Sequence, residues 1–425
     1  MSTHIFISFR SIILFLLISN IAIAQTKQKL KPDSKQEIIL QKGFTSVTVI
    51  PKSGRARHIA VDKYGNVYVK LRTLENGKGI VFLKDTSGDG KADIIKQYGS
   101  YAGTGMAIYN NFLYASSDSS VYRYPLTLNG IDESKIDTIV IGLPYNRQHE
   151  AKSIAIDANG FLYVNVGAPS NACQETDRTK GSPGMDPCPL LEHYGGVWRF
   201  NANKLKQYPS DGIRFSTGLR NTVALDWDST SKQLYAVPHG RDQLNTLYPQ
   251  YFTDQQNAEL PSEEFFILKE GGNYGWPYCY YDHLQSKKIM APEYGGDGKQ
   301  TSSRCDSMQK PIMAFPGHWA PNDLLFYHGN MFPERYKNGA FIAFHGSWNR
   351  APLLQGGYFV AFVPFKDGKP SGSWEVFAEG FAGGKEVKSP SDAKHRPMGL
   401  AEGPDGSLYI SDSVQGTVWR IISSK

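Results

Sequence analysis

A short two-strand pattern recurs along this chain, and it restricts the possible folds more than any other feature. Each copy has an apolar run, a polar turn rich in Gly, Asn or Asp, and a second run that ends in aromatic or valine-type residues. Such a pattern predicts two short strands joined by a tight turn. The clear copies fall at residues 59–69, 106–114, 154–164, 224–235 and 400–410, and a degenerate copy ends at 340–343.

The spacing of these copies predicts how the strands are assembled. The first three copies begin at Ile59, Met106 and Ile154, and a strand period of roughly 45–50 residues is typical of propeller blades. Six copies therefore predict an all-β fold, a single six-bladed β-propeller over residues 25–425. Two long segments between copies, 169–192 and 243–309, predict loop insertions on the top face that wall a central pocket.

The two ends of the repeated region also have strand character. Residues 416–421 follow the last copy as an alternating apolar run, and residues 43–50 form a similar run before the first copy. We expect these two segments to pair and thereby close the ring.

The first 24 residues predict an export signal. Arg10 precedes a short apolar run, and Ala22-Ile23-Ala24 forms a small-x-small cleavage site before Gln25. The alternative is a membrane anchor, but the apolar run is too short to span about 30 Å of hydrocarbon comfortably. We therefore expect the protein to be periplasmic or secreted, with no membrane-spanning segment after the signal peptide is cleaved.

The cysteine content agrees with export. The chain has four cysteines, Cys173, Cys188, Cys279 and Cys305, and no C-x-x-C motif. An even number in an exported chain predicts disulfides rather than zinc or thioredoxin chemistry. Three pairings are possible, and Cys173–Cys188 with Cys279–Cys305 are the local choices.

The charge distribution gives no sign of nucleic-acid binding. The formal charge is +6 over 425 residues, and no run of five like charges occurs. The oligomeric state cannot be derived from the sequence.

Polar residues beside the recurring hairpins are candidates for a central site. They precede the hairpins or follow inner-strand-like runs, at positions that a propeller brings around its axis. This set comprises Arg57, His149, Arg220, Asn221, His239, Gly240, Arg241, His345, Arg350 and Arg396. A funnel lined by arginines and histidines suits an anionic ligand or cofactor.

One loop resembles a calcium-binding loop without completing it. Residues 85–93 place oxygens at the first, third, fifth and ninth positions, but Lys96 stands where a bidentate acid is needed. A polar turn between strands is the better interpretation.

Several longer motifs give the chain a family resemblance. They are His149 followed by residues 154–167, then Gly218-Leu219-Arg220-Asn221, His239-Gly240-Arg241, residues 270–277, residues 345–350 and residues 395–400. With them the chain resembles the pyrroloquinoline-quinone (PQQ)-dependent sugar dehydrogenases, the soluble glucose and sorbosone dehydrogenase group. The string Gly346-Ser347-Trp348-Asn349-Arg350 resembles the sorbosone-like branch more closely.

The resemblance implies a six-bladed propeller that binds PQQ and Ca²⁺ and oxidises an aldose or related sugar aldehyde. In that family's pattern, His149 is the general base, and Arg220 and Asn221 hold the quinone oxygens, so that Arg220 also assists catalysis. The carbonyls of Gly240 and Arg241 bind Ca²⁺. The remaining cofactor contacts implied are Arg57, His239, His345, Arg350 and Arg396. A periplasmic quinone or cytochrome would accept the electrons.

The chain departs from the soluble glucose enzymes at four places. The Asp that orients their base falls on Ala168, the Pro whose carbonyl binds their calcium falls on Arg241, their second C-terminal Arg falls on Met398, and their cofactor lysine has no clear match. Some other group must therefore orient His149, and these departures count against glucose as the substrate more than against PQQ as the cofactor.

Two other functions are compatible with a six-bladed propeller. One is a calcium-dependent lactonase, which needs acidic and amide side chains around a central metal. The other is a non-catalytic carbohydrate-binding propeller, for which the base and the arginines would be unnecessary. Fold alone does not choose among these functions.

Overall fold

The computed structural model describes residue 1, residue 30, residues 32–384 and residues 386–423. Apart from Met1, the predicted signal peptide at residues 1–24 lies outside the described residues. No helix in the described part of the chain is long and apolar enough to cross a bilayer.

The strands of the first half follow the predicted repeat. Two strands precede the first unit: β1 (Ile39–Leu40) and β2 (Phe44–Ile50). The first unit contains β3 (Ala56–Val61), β4 (Val67–Glu75), β5 (Lys78–Lys84) and β6 (Ile94–Tyr98). The second contains β7 (Met106–Tyr109), β8 (Phe112–Ser116), β9 (Ser120–Thr127), β10 (Gly130–Ile131) and β11 (Asp137–Ile141). The third contains β12 (Ile154–Ile156), β13 (Phe161–Val166), β14 (Gly196–Asn201) and β15 (Ile213–Thr217).

The second half repeats this arrangement with longer insertions. The fourth unit and its insertion contain β16 (Ala224–Asp228), β17 (Gln233–Val237), β18 (Glu263–Leu268), β19 (Gly272–Asn273), β20 (Cys279–Asp282), β21 (Lys287–Met290) and β22 (Met313–Phe315). The fifth contains β23 (Pro321–Phe326), β24 (Ala340–Phe344), β25 (Phe359–Val363), β26 (Phe365–Lys366), β27 (Lys369–Pro370) and β28 (Glu375–Glu379). The sixth contains β29 (Pro397–Glu402), β30 (Leu408–Asp412) and β31 (Val418–Ser423).

Helical segments are short. The α-helices are α1 (Leu244–Leu247), α2 (Asp254–Glu259) and α3 (Ser303–Asp306), all within the 243–309 insertion. Single 3₁₀ turns occur at Glu133–Lys135, Pro189–Glu192, Pro209–Asp211, Pro292–Tyr294, Glu334–Tyr336 and Pro390–Asp392.

Each unit forms one mainly antiparallel sheet, and neighbouring sheets pack face to face; the third sheet also includes β19, which pairs parallel with β15. Tyr68 and Phe82 of the first sheet, for example, pack with Leu113 and Tyr124 of the second. Equivalent apolar clusters lie between all successive sheets, and one of them joins the sixth sheet to the first. The prediction of an all-β, six-bladed propeller is confirmed.

The recurring turns explain why the hairpins form where the pattern predicts them. The Asp62 carboxylate accepts hydrogen bonds from the backbone N–H groups of Tyr64 (2.9 Å) and Asn66 (3.0 Å). Asp157 accepts the equivalent bonds in the third blade, at 2.9 and 2.8 Å. Gly65 adopts a φ of 82° in this turn, a conformation that costs glycine little. The aspartate and the glycine therefore fix the turn by local chemistry.

The two ends of the chain close the ring, as expected. Strand β2 pairs antiparallel with β31, from Phe44 opposite Ser423 to Ile50 opposite Val418. The sixth blade is thus built from three C-terminal strands and one N-terminal strand. Strand β1 likewise adds to the outer strand β28 of the fifth blade.

Disulfides brace the two insertions. Cys173 pairs with Cys188, and Cys279 pairs with Cys305, which are the local choices among the possible pairings. Both bridges are buried in one cluster with Trp276. The two insertions therefore form one packed wall on the propeller.

The 85–93 segment is a turn between β5 and β6. Its carboxylates accept backbone N–H groups: Asp85 accepts from Gly90 at 2.8 Å and Asp93 from Ser87 at 2.8 Å. The interpretation as a polar turn is confirmed.

The ring closure gives a stability prediction. Trp419 of β31 is fully buried and packs edge-to-face against Phe381 and His395. Trp419→Ala should lower the free energy of unfolding by about 3–5 kcal/mol, because a large cavity would open between closing strands. Urea unfolding followed by circular dichroism measures this, with Tyr64→Ala, at a side chain 57% exposed, as the control. Equal stability of the two variants would contradict the role of Trp419.

Candidate active site

A cavity opens where the inner strands of the blades begin. Each of the six blades contributes a residue from this region: Arg57, Thr104, His149, Asn221, Asn322 and Arg396. This first lobe has a volume of about 360 Å³. A second lobe of about 650 Å³ is lined by Arg55, Ser391 and Ser413 and shares Arg57, Arg72, His345 and Arg396 with the first. The convergence follows from the fold, because inner strands of a propeller surround its axis.

The structure brings together six of the predicted site residues and leaves four outside the lining. Those that line the lobes are Arg57, His149, Asn221, His239, His345 and Arg396. Those that lie elsewhere are Arg220, Gly240, Arg241 and Arg350.

His149 is held by a backbone carbonyl. Its Nδ1 lies 2.5 Å from the carbonyl oxygen of Ala168, and a carbonyl can only accept, so Nδ1 carries the proton and Nε2 carries the lone pair. The N–H of Ala168 in turn donates to the carbonyl of Arg220 at 2.8 Å. The group that orients His149 at this position is therefore the main chain of Ala168, which needs no carboxylate side chain.

The surroundings keep His149 neutral. Burial, together with the charge of nearby Arg220, lowers the pKa of His149 to about 3. The residue also adopts a left-handed backbone conformation with φ of 54°, which is uncommon for a residue other than glycine. At neutral pH the imidazole is thus an unprotonated base.

Two further histidines line the cavity as neutral groups. The Nε2 of His239 lies 3.0 Å from the side-chain oxygen of Asn322, and burial lowers the pKa of His239 to about 4. The Nε2 of His345 lies 2.7 Å from Oγ of Ser413, and burial holds the pKa of His345 well below its usual value. The positive charge of the cavity therefore comes from its arginines.

Arg57 and Arg396 present guanidinium groups to both lobes. Arg57 donates from Nε to Oγ1 of Thr104 at 3.1 Å, and burial beside Arg72 lowers the pKa of Arg57 to about 9. Arg396 donates to the carbonyls of His345 (2.9 Å) and Gly346 (2.6 Å), which fixes its direction.

Arg220 supports the wall behind the cavity. Its guanidinium donates to the carbonyl of Gly240 (2.8 Å), to the carbonyl and side chain of Asn171 (3.2 and 3.1 Å) and to Asp242 (2.8 Å). Although burial opposes ionisation of Asp242, Arg220 and His318 hold the pKa of that carboxyl well below its usual value. These bonds use four of the five guanidinium N–H donors, so one Nη1 hydrogen is left, and the predicted contact of Arg220 with quinone oxygens stays a prediction.

Gly240 and Arg241 line a void of about 40 Å³ in the insertion wall, and His239 lies between this void and the first lobe, since it lines both. The Arg241 guanidinium forms a buried ion pair with Glu293 at 2.6 Å. Its charge is therefore neutralised and does not bear on the cavity.

Arg350 is turned away from the cavity. Its guanidinium pairs with Glu259 at the end of α2 (2.8 Å) and also donates to the carbonyl of Ala258. The partner carboxylate is 91 residues away in the chain, so the sequence motif gave no sign of this orientation.

Other cavity residues were not among the predicted ones. They are Arg72, Thr104, Arg147, Glu150, Asn322 and Trp348. Arg72 lies within β4, the second strand of its blade, whereas His239 and His345 follow theirs, so the pattern used for the histidines did not select it. Glu150 is the residue after His149, and its carboxylate pairs with Arg72.

Fold and cavity together define a six-bladed propeller with a cationic, histidine-lined funnel on its axis. Residues 38–424 match the TrAA12-like family, and the chain belongs to that family.

The relatives agree with the resemblance found in the sequence. A PQQ-dependent pyranose dehydrogenase of Coprinopsis cinerea is 23% identical over 428 residues, which cover 92% of this chain and 55% of that protein, so the chain spans about half the length of that relative. The holo form of the PQQ domain of the Coprinopsis pyranose dehydrogenase superimposes with a TM-score of 0.72 at 20% identity, over 93% of this chain and 99% of that domain.

A further solved structure has the same fold. The calcium structure of the Trichoderma reesei Carbohydrate-Active Enzymes Family AA12 protein superimposes with a TM-score of 0.73 at 18% identity, over 94% of this chain and 100% of that chain. The resemblance to PQQ-dependent sugar dehydrogenases is confirmed, and the sorbosone-like branch stays a prediction.

The geometry of His149 predicts its protonation state. Because its pKa is lowered to about 3, the ring should stay neutral with the proton on Nδ1 between about pH 5 and pH 8. Nitrogen chemical shifts of ¹⁵N-histidine-labelled protein measure this, and the urea-unfolded protein, whose histidines titrate near pH ~6.5, is the control. A cationic ring at pH 6 would contradict the assignment.

Proposed function

We propose that the protein is a PQQ-dependent dehydrogenase that oxidises an aldose or related sugar aldehyde. One observation carries the proposal: a neutral His149 with a free Nε2 lone pair faces a cavity lined by arginines. A base beside a strongly cationic pocket suits the oxidation of an alcohol by an anionic cofactor.

The residues fit the carboxylates of PQQ. Arg57 is half-buried, and among the described residues no carboxylate pairs with its guanidinium. Glu150 is the one acidic side chain among the residues described as lining the two lobes. The arginines therefore outnumber the carboxylates, and a tricarboxylate would supply the missing negative charge. Arg57 and Arg396 are the groups we assign to it, since Arg72 already pairs with Glu150.

His149 would remove the proton from the anomeric hydroxyl. When bound, PQQ supplies the two-electron oxidant that accepts the hydride from the same carbon. The sugar thus loses one hydride and one proton and gains a carbon–oxygen double bond, and the proton ends on Nε2 of His149. The Ala168 carbonyl keeps the ring in the correct tautomer throughout.

Asn221 would donate to a cofactor oxygen. Its side-chain oxygen accepts from Asn165 at 3.3 Å, so its amide N–H groups are left for the cavity. Arg220 would act indirectly, by holding the carbonyl of Gly240 and the loop around it.

Ca²⁺ would be held by main-chain oxygens. The Gly240 carbonyl already accepts one guanidinium hydrogen and keeps one lone pair, and no described group donates to the Arg241 carbonyl. Carbonyl oxygens suit a hard cation, but two are too few for its usual six to eight ligands, so the cofactor and water would complete the set.

We also propose export and a periplasmic electron acceptor. The two disulfides support an oxidising compartment, where such bonds persist. A quinone or cytochrome of that compartment would take the electrons.

Neither alternative function has an observation of its own in support. The described residues contain no group of three or more His, Cys, Asp or Glu side chains that could hold a metal ion, as the lactonase would require. A non-catalytic carbohydrate-binding propeller would not need a neutral histidine such as His149, whose Nδ1 proton is held by the Ala168 carbonyl.

Cofactor titration tests the proposal. PQQ with and without Ca²⁺ is added to the purified protein, and the absorbance of the cofactor is followed. Arg57→Gln should weaken binding about 10- to 100-fold, because a buried charged hydrogen bond is lost. Arg350→Gln should leave the affinity unchanged, because that guanidinium points away. No binding by the unmodified protein would overturn the proposal, and unchanged affinity without Ca²⁺ would remove the metal from it.

Turnover tests the role of His149. His149→Ala should lower kcat by about 10²–10⁴-fold while PQQ affinity is kept, because only the proton acceptor is lost. Dye reduction with a panel of aldoses measures kcat, and His193→Ala, at an exposed histidine outside the cavity, is the matched control. Turnover equal to that of the unmodified protein would remove His149 as the base.

A further inference from the structure

We propose that Glu150, held by Arg72, accepts a hydrogen bond from the sugar hydroxyl on the carbon next to the reactive carbon. This bond would set the specificity for an aldose with a free hydroxyl at that position. This inference rests on the proposed function. It concerns two residues that the sequence patterns did not single out, and both line the first lobe beside His149.

Three blades contribute to the position of Glu150. Arg72 extends from β4 of the first blade, Asp118 lies after β8 of the second, and Glu150 precedes β12 of the third. One nitrogen of the Arg72 guanidinium pairs with Glu150, and another lies 3.4 Å from Asp118. The carboxylate of Glu150 is therefore held by Arg72 of the first blade, which also contacts Asp118 of the second blade.

The main chain of Glu150 is fixed as well. The buried ammonium group of Lys152 donates to the Glu150 carbonyl oxygen at 2.9 Å. The side chain of Glu150 is still 16% exposed, and that of Arg72 is 34% exposed, so both reach the cavity. A polar pair that is held in place before the ligand arrives loses little entropy on binding.

Charge decides which ligand Glu150 contacts. A tricarboxylate cofactor would be repelled by this carboxylate, and its carboxylates are attracted to Arg57 and Arg396 instead. The group beside Glu150 should therefore be neutral and carry hydrogen-bond donors. A sugar hydroxyl is both donor and acceptor, so it can donate to Glu150 and accept from Arg72.

The position beside the base indicates which hydroxyl is read. Under the proposed function His149 acts on the hydroxyl of the reactive carbon, and Glu150 lines the same lobe of the cavity. A carboxylate so placed can accept a hydrogen bond from the neighbouring hydroxyl of the same ring. A 2-deoxy sugar lacks this hydroxyl, so the Glu150 carboxylate would be left without a hydrogen-bond donor. The site should therefore discriminate against 2-deoxy sugars.

The test compares Glu150→Gln with the unmodified protein, each loaded with PQQ. The substrates are the aldose of the panel that reduces the unmodified enzyme fastest and its 2-deoxy analogue. Glu150→Gln should raise KM for the aldose about 10- to 100-fold with kcat within a few-fold, and should raise KM for the analogue much less. Glu133→Gln, which breaks the peripheral pair with Lys78, is the matched control.

Two measurements besides turnover distinguish a role of Glu150 in sugar binding from a role in balancing charge. PQQ affinity should not fall in Glu150→Gln, because only a repelling charge is removed, and calorimetry should give the same loss of aldose affinity as the rise in KM. Weaker or tighter PQQ binding with an unchanged KM would overturn the inference and make Glu150 a charge-balancing group. If Glu150→Gln does not fold, Glu150→Asp keeps the charge but withdraws it by one methylene, and an unchanged discrimination would overturn the inference equally.

Failure of the proposed function gives a different result. In that case the unmodified protein binds no PQQ or is reduced by no aldose of the panel. Failure of this inference alone leaves an active enzyme whose preference between aldose and 2-deoxy analogue is the same with and without Glu150.

Discussion

The pairing of β2 with β31 is the interaction on which the rest of the structure depends. A propeller blade has apolar faces on both sides, so each blade needs two neighbours, and only a closed ring provides them. The N-terminal strand completes the sixth blade and brings it against the first. The cavity exists because that closure fixes six inner strands around one axis. Its chemistry is thus a consequence of a contact between the two ends of the chain.

Some arginines of the site form ion pairs with carboxylates, and others have no carboxylate partner among the described residues. Arg220 and Arg241 are neutralised by Asp242 and Glu293, and both pairs stiffen the wall formed by the insertions. Arg57 has no such partner among the described residues, and its burial costs free energy until an anion arrives. The protein therefore separates cations that support the wall from cations that bind ligand.

Much of the fold could be predicted from the sequence, because the hairpin turns are made by local chemistry. An aspartate that accepts nearby N–H groups and a glycine with positive φ fix each turn within a few residues. Six of the proposed site residues reach the cavity for a related reason, since their backbone positions follow from the repeat. Arg220 and Arg350 do not, because their side chains turn toward Asp242 and Glu259, 22 and 91 residues away. The orientation of His149 by Ala168 was equally hidden, because it uses a main-chain carbonyl.

The sequence by itself determined the repeat, the number of blades, the strands that close the ring and the ring of positions from which a site is built. These depend on hydrophobic periodicity and turn residues, which act over short distances in the chain. Only the tertiary structure decided which arginines face the cavity, what orients the base and that Arg72 pairs with Glu150. Those features depend on ion pairs and hydrogen bonds between residues far apart in the chain, and such partners become neighbours only when the blades have folded and packed.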